Sequence, residues 1–176
     1  MKSILYHFLS ILLLFAAKDG TAQTHPVKFK LLSGTNGIPI GKITGITRDI
    51  HGVMWFSDQS NQCLLSYDGT NMTRYKHDAK NANSPGGTYP ECLYADSSGN
   101  IWIGFYGMGL DKYDPETNLF THYRRQQNDP GSLSSDTISA LLVDHFGNIW
   151  AGTDGGLNLL DKKTGKFKHY SNKLHD

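Results

Sequence analysis

One seven-residue pattern occurs three times in the sequence, at nearly equal spacing. An aspartate begins each copy, a glycine follows three residues later, and a tryptophan ends it. The three tryptophans of the chain all belong to this pattern and lie 47 and 48 residues apart. Such a period predicts a protein built from repeated supersecondary units. The aligned residues are Asp49, Asp96 and Asp144, then Gly52, Gly99 and Gly147, then Trp55, Trp102 and Trp150, followed downstream by Tyr75, Tyr123 and Tyr170.

Each repeat has the pattern of four short strands, seen best in the third copy. Strand-like segments at 137–143, 149–152, 157–160 and 166–170 are separated by turns rich in Asp and Gly. An aspartate side chain caps backbone N–H groups in such turns, and glycine adopts a positive φ without steric cost. Four antiparallel strands of this length predict one blade of a β-propeller.

The strand pattern excludes a helical repeat of similar period. The apolar runs are short, rich in branched and aromatic residues, and broken by Gly or Asp-Gly about every 8 to 12 residues. We therefore predict an all-β fold of β-propeller blades, in which three four-stranded antiparallel repeats form a partial propeller. The predicted segments are an N-terminal lead-in strand at 23–42, blade 1 at 43–75, blade 2 at 88–123, blade 3 at 135–170, and the start of the next inter-blade loop at 171–176.

The first 22 residues have the features of a secretory signal peptide. Lys2 precedes a ten-residue apolar core at 8–17, and Gly20-Thr21-Ala22 supplies small residues for cleavage. The alternative is an uncleaved membrane anchor, but the apolar run is half the length that a spanning helix needs. We expect a periplasmic protein without a membrane span in its mature chain.

Charge and cysteine content restrict the function classes. Without residues 1–22 the chain has 15 basic and 15 acidic residues, and no concentrated positive field is visible, so nucleic acid is not an expected partner. Cys63 and Cys92 have no metal-type spacing, and the sequence leaves open whether they form a disulfide. His122 and His169 are repeat-equivalent but lack the spacing of a metal motif, so we expect neither a metal nor a cofactor.

Three segments resemble a known family. These segments are Ser98–Gly104 (SGNIWIG), Gly147–Asn158 (GNIWAGTDGGLN) and Asn128–Ser135 (NDPGSLSS). They are similar to the two-component regulator propeller repeat, and the resemblance covers 27–176. It implies the periplasmic sensor region of a hybrid two-component system that controls polysaccharide degradation. It also implies a seven-bladed propeller followed by an immunoglobulin-like domain, a membrane helix and a histidine kinase.

The sequence departs from this family in two ways. Ser57 stands where the other repeats have Gly104 and Gly152, and the loop 58–62 replaces a Gly-Gly turn. Three repeats also leave two sheet faces without a neighbouring blade, because propellers close with about four to eight blades. The chain is therefore expected to be a truncated sensor, a gene fragment, or a module that completes its ring by self-association or with further blades.

Candidate ligand-binding residues lie on loops that share one face of the predicted disc. Adjacent aromatic residues at Phe105 and Tyr106, together with Arg124, Arg125 and Asp154, suit an oligosaccharide, because sugars stack on aromatic rings and polar groups orient them. The alternative is that these rings cover a seam between blades. Trp55, Trp102 and Trp150 are assigned to the structural repeat, because every copy has them.

No arrangement of residues indicates catalysis. The chain has no Gly-x-Ser-x-Gly elbow, no cysteine in a basic setting and only two glutamates, Glu91 and Glu116. We expect a recognition module that senses oligosaccharides and is not an enzyme, since the kinase of the resembled family lies in segments absent here. The alternatives are a propeller lyase or hydrolase acting on a glycan or small molecule, and a non-functional truncated remnant.

Overall fold

A computed structural model describes residues 38–171 of the chain. The predicted signal peptide at 1–22, most of the lead-in segment and the last five residues lie outside the described residues. Residues 38–42, the described part of the predicted lead-in strand, are not in a strand.

Twelve strands make up the secondary structure of this region, and none of its residues is helical. Accordingly, the described residues include no helix of the length and apolarity needed to cross a membrane. The strands are β1 (Ile43–Arg48), β2 (Met54–Asp58), β3 (Cys63–Tyr67), β4 (Met72–Lys76), β5 (Pro90–Ala95), β6 (Ile101–Phe105), β7 (Leu110–Asp114), β8 (Leu119–Tyr123), β9 (Ile138–Val143), β10 (Ile149–Thr153), β11 (Gly156–Asp161) and β12 (Lys166–Tyr170).

The strands form three separate four-stranded sheets, each a simple antiparallel meander. Blade 1 contains β1–β4, blade 2 contains β5–β8 and blade 3 contains β9–β12. The first strands of the blades lie side by side, with β5 in contact with both β1 and β9. The predicted all-β fold of three four-stranded blades is confirmed.

Each blade has one sheet face toward the preceding blade and one toward the following blade, which we call its leading and trailing faces. Branched and aromatic side chains on the leading faces of blades 2 and 3 bury the tryptophans on the trailing faces of blades 1 and 2. One cluster joins blades 1 and 2, with Trp55 and Leu64 against Leu93, Ile101, Ile103, Phe105 and Tyr113. Another joins blades 2 and 3, with Trp102 and Leu110 against Leu133, Ile138, Ile149, Ala151, Leu160 and Phe167.

The repeated aspartate organises the turn between the first two strands of every blade. In blade 2, Asp96 Oδ1 accepts the backbone N–H groups of Ser98 at 2.9 Å and Asn100 at 3.0 Å, while Gly99 has a φ of +86°. Its Oδ2 accepts the indole N–H of Trp102, a bond that the sequence did not predict. The indole bonds are Trp55 to Asp49 at 2.9 Å, Trp102 to Asp96 at 2.9 Å and Trp150 to Asp144 at 3.0 Å.

Candidate ligand-binding face

The inter-blade loops 77–89 and 124–137 lie at the same end of the sheets as the turns between second and third strands. Backbone hydrogen bonds connect the two sets. Tyr106 N donates to Tyr89 O at 3.0 Å, and Asp154 N donates to Thr137 O at 3.4 Å. We call this end of the blades the loop face, and it carries the exposed candidate residues of the sequence analysis.

Two exposed tyrosines lie on the loop face, in the two segments that the Tyr106–Tyr89 backbone hydrogen bond joins. Tyr106 is 65% exposed and Tyr89 is 45% exposed. Gln62 Nε2 donates to the Tyr89 hydroxyl at 3.2 Å, which brings the β2–β3 turn of blade 1 to the same place. Nearby, Gln59 Nε2 donates to Glu91 Oε2 at 2.6 Å. Aromatic rings with amide and carboxylate groups around them are the components of a sugar-binding surface.

Tyr89 is the member of this pair that the sequence analysis did not select. The equivalent residue in the third repeat is Thr137, so comparison of the repeats does not identify position 89 as aromatic. The available signal was a single tyrosine at the end of the polar and glycine-rich stretch 83–88. The hydrogen bond that joins its carbonyl to Tyr106 becomes visible only in the folded chain.

Phe105 does not share the exposure of Tyr106. It is 2% exposed, ends strand β6 and belongs to the cluster between blades 1 and 2. The backbone of the inter-blade loop covers it, because a Cβ added to Gly87 would lie 2.7 Å from its ring. The ring therefore has no face that a ligand could reach. Phe105 instead packs in the seam between two blades, the alternative considered for this residue in the sequence.

Arg124 points away from the loop surface and toward a buried carboxylate. Its Nη1 donates to Asp111 Oδ1 at 3.0 Å, to Leu110 O at 3.1 Å and to Tyr123 O at 2.9 Å. Asp111 is fully buried, so the guanidinium neutralises a charge that water does not reach. In this arrangement Arg124 holds the fold of blade 2.

His122 completes this cluster and attaches it to the inter-blade loop. Its Nδ1 lies 2.8 Å from Asp111 Oδ1, and its Nε2 lies 3.0 Å from Ala82 O. Both neighbours are acceptors, and an imidazole donates from both nitrogens only when it is protonated. The hydrogen bond to Asp111 raises the pKa of His122, with a smaller contribution from the Ala82 carbonyl.

The contacts of Asp111 and His122 with the preceding loop form a unit that we call the loop clamp. In blade 2, Gly86 N donates to Asp111 Oδ2 at 2.6 Å. Blade 3 repeats the arrangement without the charge: Ser134 N donates to Asn158 Oδ1 at 2.9 Å, and His169 Nε2 lies 2.6 Å from Ser132 O. The repeat-equivalent histidines of the sequence thus secure inter-blade loops.

Arg125 and Asp154 are exposed on the loop face, at the blade 3 end of it. Arg125 N donates to Asp136 Oδ1 at 2.6 Å, which leaves the guanidinium outside that bond. The described contacts link Tyr106 to Tyr89, and they do not link either tyrosine directly to Arg125 or Asp154. The loop face therefore has an aromatic area on blade 2 and a charged area toward blade 3.

The opposite end of the blades also has a concavity. A cavity of about 440 Å³ lies where the first strands of the three blades end, beside the aspartate turns. The carboxylates of Asp49, Asp96 and Asp144 line it, but each already accepts two backbone N–H groups and an indole. These acceptors are occupied by the fold, so we place the ligand-binding candidate on the loop face.

Cysteines and metal ligands give no second site in the described region. Cys63 and Cys92 are free thiols, and burial raises the pKa of Cys92 to about 12, so this thiol stays protonated. Among residues 38–171 no group of three or more His, Cys, Asp or Glu side chains has the arrangement of a metal site.

Comparison with protein families assigns the repeat. Residues 83–107 and 132–155 match the model of the two component regulator propeller. Two of the three blades thus contain a segment that matches this repeat. Each matched segment begins near an inter-blade loop serine, Ser84 or Ser132, and ends just past the second strand of its blade.

Known proteins that contain comparable regions are much longer. A stretch of 60 residues is 32% identical to histidine kinase P4 of Formosa agariphila and covers 34% of this chain but 4% of that protein. The extracellular domain of a protein assigned to the hybrid two component systems, from B. thetaiotaomicron, superposes with a TM-score of 0.74 at 28% identity. That match covers 82% of this chain and 20% of the solved one.

A more distant similarity concerns the fold alone. Virginiamycin B lyase from Staphylococcus aureus superposes with a TM-score of 0.56 at 16% identity, over 74% of this chain and 41% of that one. The described blades thus share the fold of a lyase, and at this identity the similarity carries no inference about catalysis.

Proposed function

We propose that this chain is a ligand-recognition part of an extracytoplasmic sensor of the hybrid two-component type, and that it binds oligosaccharides on its loop face. The exposed pair Tyr89 and Tyr106 is the observation that carries the proposal. Similarity to the extracellular domain of a hybrid two component system supports the sensor role, and the predicted signal peptide at 1–22 supports a periplasmic location.

The chemistry of the pair favours a neutral or weakly charged sugar. Pyranose rings have apolar C–H faces that stack on tyrosine, and their hydroxyls both donate and accept hydrogen bonds. Gln59, Gln62 and Glu91 are within the same neighbourhood and supply amide donors and carboxylate acceptors. Arg125 and Asp154 would contact a longer oligosaccharide that extends toward blade 3.

Binding at this place would act on two chain segments at once. Tyr89 belongs to the inter-blade loop and Tyr106 to the β6–β7 turn, and one backbone hydrogen bond of 3.0 Å joins them. A ligand shifts a conformational equilibrium only by its difference in affinity for the two states. A sugar that bridges both tyrosines favours the arrangement in which loop and turn are docked, and this arrangement is the signal that the sensor would transmit.

Calorimetric titration of the full chain with defined tetrasaccharides of glucose, xylose, mannose and uronic acids tests the proposal. We expect one class to bind and Tyr106→Ala to weaken it about tenfold, since an aromatic contact contributes about 1 kcal/mol beyond its area. Phe146→Ala is the matched control, because Phe146 is 78% exposed at the opposite end of blade 3. Equal affinity of the Tyr106 variant and the unchanged chain would contradict the placement of the site.

A further inference from the structure

A small pocket lies between blades 2 and 3, at the end of the blades that carries the aspartate turns. It has a volume of about 120 Å³, and described residues of both blades form its walls. Tyr123 lines it and stacks on the buried ring of Trp102, with the ring centres 5.9 Å apart. We call it the junction pocket. Its other lining residues are Asp96, Ser98, Asn100, Lys112, Leu160 and Lys162.

The carboxylate that lines the junction pocket is already saturated with hydrogen-bond donors. Asp96 Oδ1 accepts the backbone N–H groups of Ser98 and Asn100, and Oδ2 accepts the indole N–H of Trp102 at 2.9 Å. The side-chain amide of Asn100 donates to both oxygens, at 3.2 and 3.1 Å. The turn and the indole therefore satisfy the hydrogen-bonding capacity of this carboxylate without a lysine.

The charged groups that remain free beside the pocket are donors. Among the described residues, the ammonium groups of Lys112 and Lys162 make no hydrogen bond and no salt bridge. Hydrogen bonds from Thr117 and Glu116 lower the pKa of Asp114 more than the charge of Lys112 does, and Asp114 does not bind that ammonium group. Two unpaired positive charges beside one pocket repel each other, and an anion between them removes that repulsion.

The blade fold does not require this pair of lysines. At the junction of blades 1 and 2, Ser66 occupies the position of Lys112, opposite the tryptophan of the second strand. Pro115 occupies the position of Lys162, directly after the last residue of the third strand. Asp49 is nevertheless buried there and accepts an indole N–H in the same way. The lysine pair is therefore not a counter-charge that the buried aspartate needs.

The size and the free donors of the pocket suit a small anion with several oxygen atoms. A volume of about 120 Å³ equals that of about four water molecules at about 30 Å³ each, which is the scale of a tetrahedral oxyanion. Phosphate and sulfate groups combine multiple negative charge with several strong acceptor oxygens. The hydroxyls of Ser98 and Tyr123 add donors, since neither donates to another described residue.

We propose that the junction pocket binds a tetrahedral oxyanion, either free or as the phosphate or sulfate group of a larger molecule. Lys112 supplies a partly buried positive charge from blade 2, and Lys162 supplies an exposed one from the turn between β11 and β12. The bound anion connects the two blades through charge-assisted hydrogen bonds. The pocket lies at the opposite end of the blades from the loop face and is independent of the sugar-binding function proposed above.

Calorimetric titration of the full chain with inorganic sulfate and with inorganic phosphate tests the proposal. Sodium chloride holds the ionic strength constant, because salt screens the attraction between exposed charges. We expect saturable binding of one anion per chain. Lys112→Met should weaken binding about tenfold, because it removes a charge-assisted donor at a partly buried position. Lys162→Met should weaken it about threefold, because exposed ion pairs contribute less.

Matched variants separate the pocket from general effects of charge. Lys163→Met removes one positive charge from the same exposed turn without changing the lining of the pocket, so anion affinity should stay the same. Tyr106→Ala on the loop face should also leave it unchanged. Methionine retains an apolar stem in place of that of lysine, so the variants should fold, which circular dichroism verifies.

Thermal unfolding provides a second measurement. Sulfate stabilises folded proteins generally by its exclusion from their surfaces, and an anion that binds the folded chain adds to this effect. The increase in Tm with sulfate should therefore be smaller for Lys112→Met than for Lys163→Met.

The choice of anion identifies the group that the pocket selects. Tighter binding of sulfate than of phosphate, or the reverse, supports the proposal and names the preferred group. Acetate at the same ionic strength should bind more weakly than either, because it carries a single charge. Equal affinity for acetate would overturn the assignment to a tetrahedral oxyanion. A lack of saturation with both anions, or equal losses in Lys112→Met and Lys163→Met, would overturn the site itself.

Discussion

His122 is placed between two acceptors, and this position makes one side chain sensitive to pH. Asp111 Oδ1 is 2.8 Å from one ring nitrogen and Ala82 O is 3.0 Å from the other. Arg124 also donates to the same carboxylate oxygen, which limits how strongly the histidine proton is held. The protonated ring ties the inter-blade loop of blade 2 to its sheet, whereas the neutral ring gives up one of the two bonds.

The pH dependence of this contact has a definite sign. The pKa of His122 is raised in the folded chain above its ordinary value of 6.5. Its contribution to stability is therefore complete below pH 6.5 and is lost as pH rises through the folded pKa. We expect His122→Gln to lower the free energy of unfolding by about 1 kcal/mol at pH 5.5 and by less at pH 8.5. A partly exposed charged hydrogen bond contributes about 1 kcal/mol to stability, and it is lost when the ring is neutral.

Urea denaturation of both proteins at the two pH values measures this difference. His169→Gln is the matched control, because Asn158 takes the place of the carboxylate in blade 3 and no ion pair forms there. An effect of His122→Gln that is the same at both pH values would contradict a charged clamp.

At the scale of the element, the turn after each first strand was predictable because its determinants are local. Aspartate and glycine three residues apart specify a capped turn, and glycine takes the positive φ found at Gly52, Gly99 and Gly147. The indole bond from the next strand was not predictable, because it depends on how the second strand turns back over the aspartate. The periodic tryptophan was correctly assigned to the structural repeat without this partner.

The candidate site was predictable only in part, and the reason is strand geometry. Phe105 and Tyr106 are neighbours in sequence, but β6 ends at Phe105, whose ring remains on the face that blade 1 covers. Tyr106 is the first residue outside the strand and turns to solvent. Arg124 was chosen as a polar group on the loop face, but its buried partner Asp111 lies on another strand and could not be identified from the sequence.

The same turn provides a prediction about stability. Asp96→Asn leaves one oxygen to accept the backbone N–H groups of Ser98 and Asn100 and places an amide N–H against the buried indole N–H of Trp102. We expect a loss of about 2 kcal/mol in the free energy of unfolding, as a buried group left without its partner costs about 1 to 3 kcal/mol. Thermal and urea unfolding measure it.

Asp68→Asn is the matched control for this turn. Asp68 accepts the backbone N–H groups of Thr70 and Asn71 in an exposed turn, with no indole. Its substitution should change stability by less than about 0.5 kcal/mol. Equal losses at Asp68 and Asp96 would mean that backbone capping alone, without burial or the indole bond, accounts for the turn.

At the scale of the whole molecule, stability is a sum over blades and the junctions between them. The described residues form two complete junctions, and the faces at either side, marked by Ile46 and Leu157, retain exposed apolar groups. In repeat architectures each added interface contributes a nearest-neighbour free energy. A blade that covers either face would therefore add one junction to the two that the described residues form.

Equivalent leucines on the trailing faces of blades 2 and 3 measure how much a covering blade contributes to stability. Leu110→Ala removes a fully buried side chain and should lower the free energy of unfolding by about 2 to 5 kcal/mol. Leu157→Ala should lower it by less than about 1 kcal/mol, because this side chain is 41% exposed. Urea denaturation of the unchanged chain and of both variants measures the two losses. Equal losses would contradict the assignment of the stabilisation to the neighbouring blade, because only Leu110 has such a blade against it among the described residues.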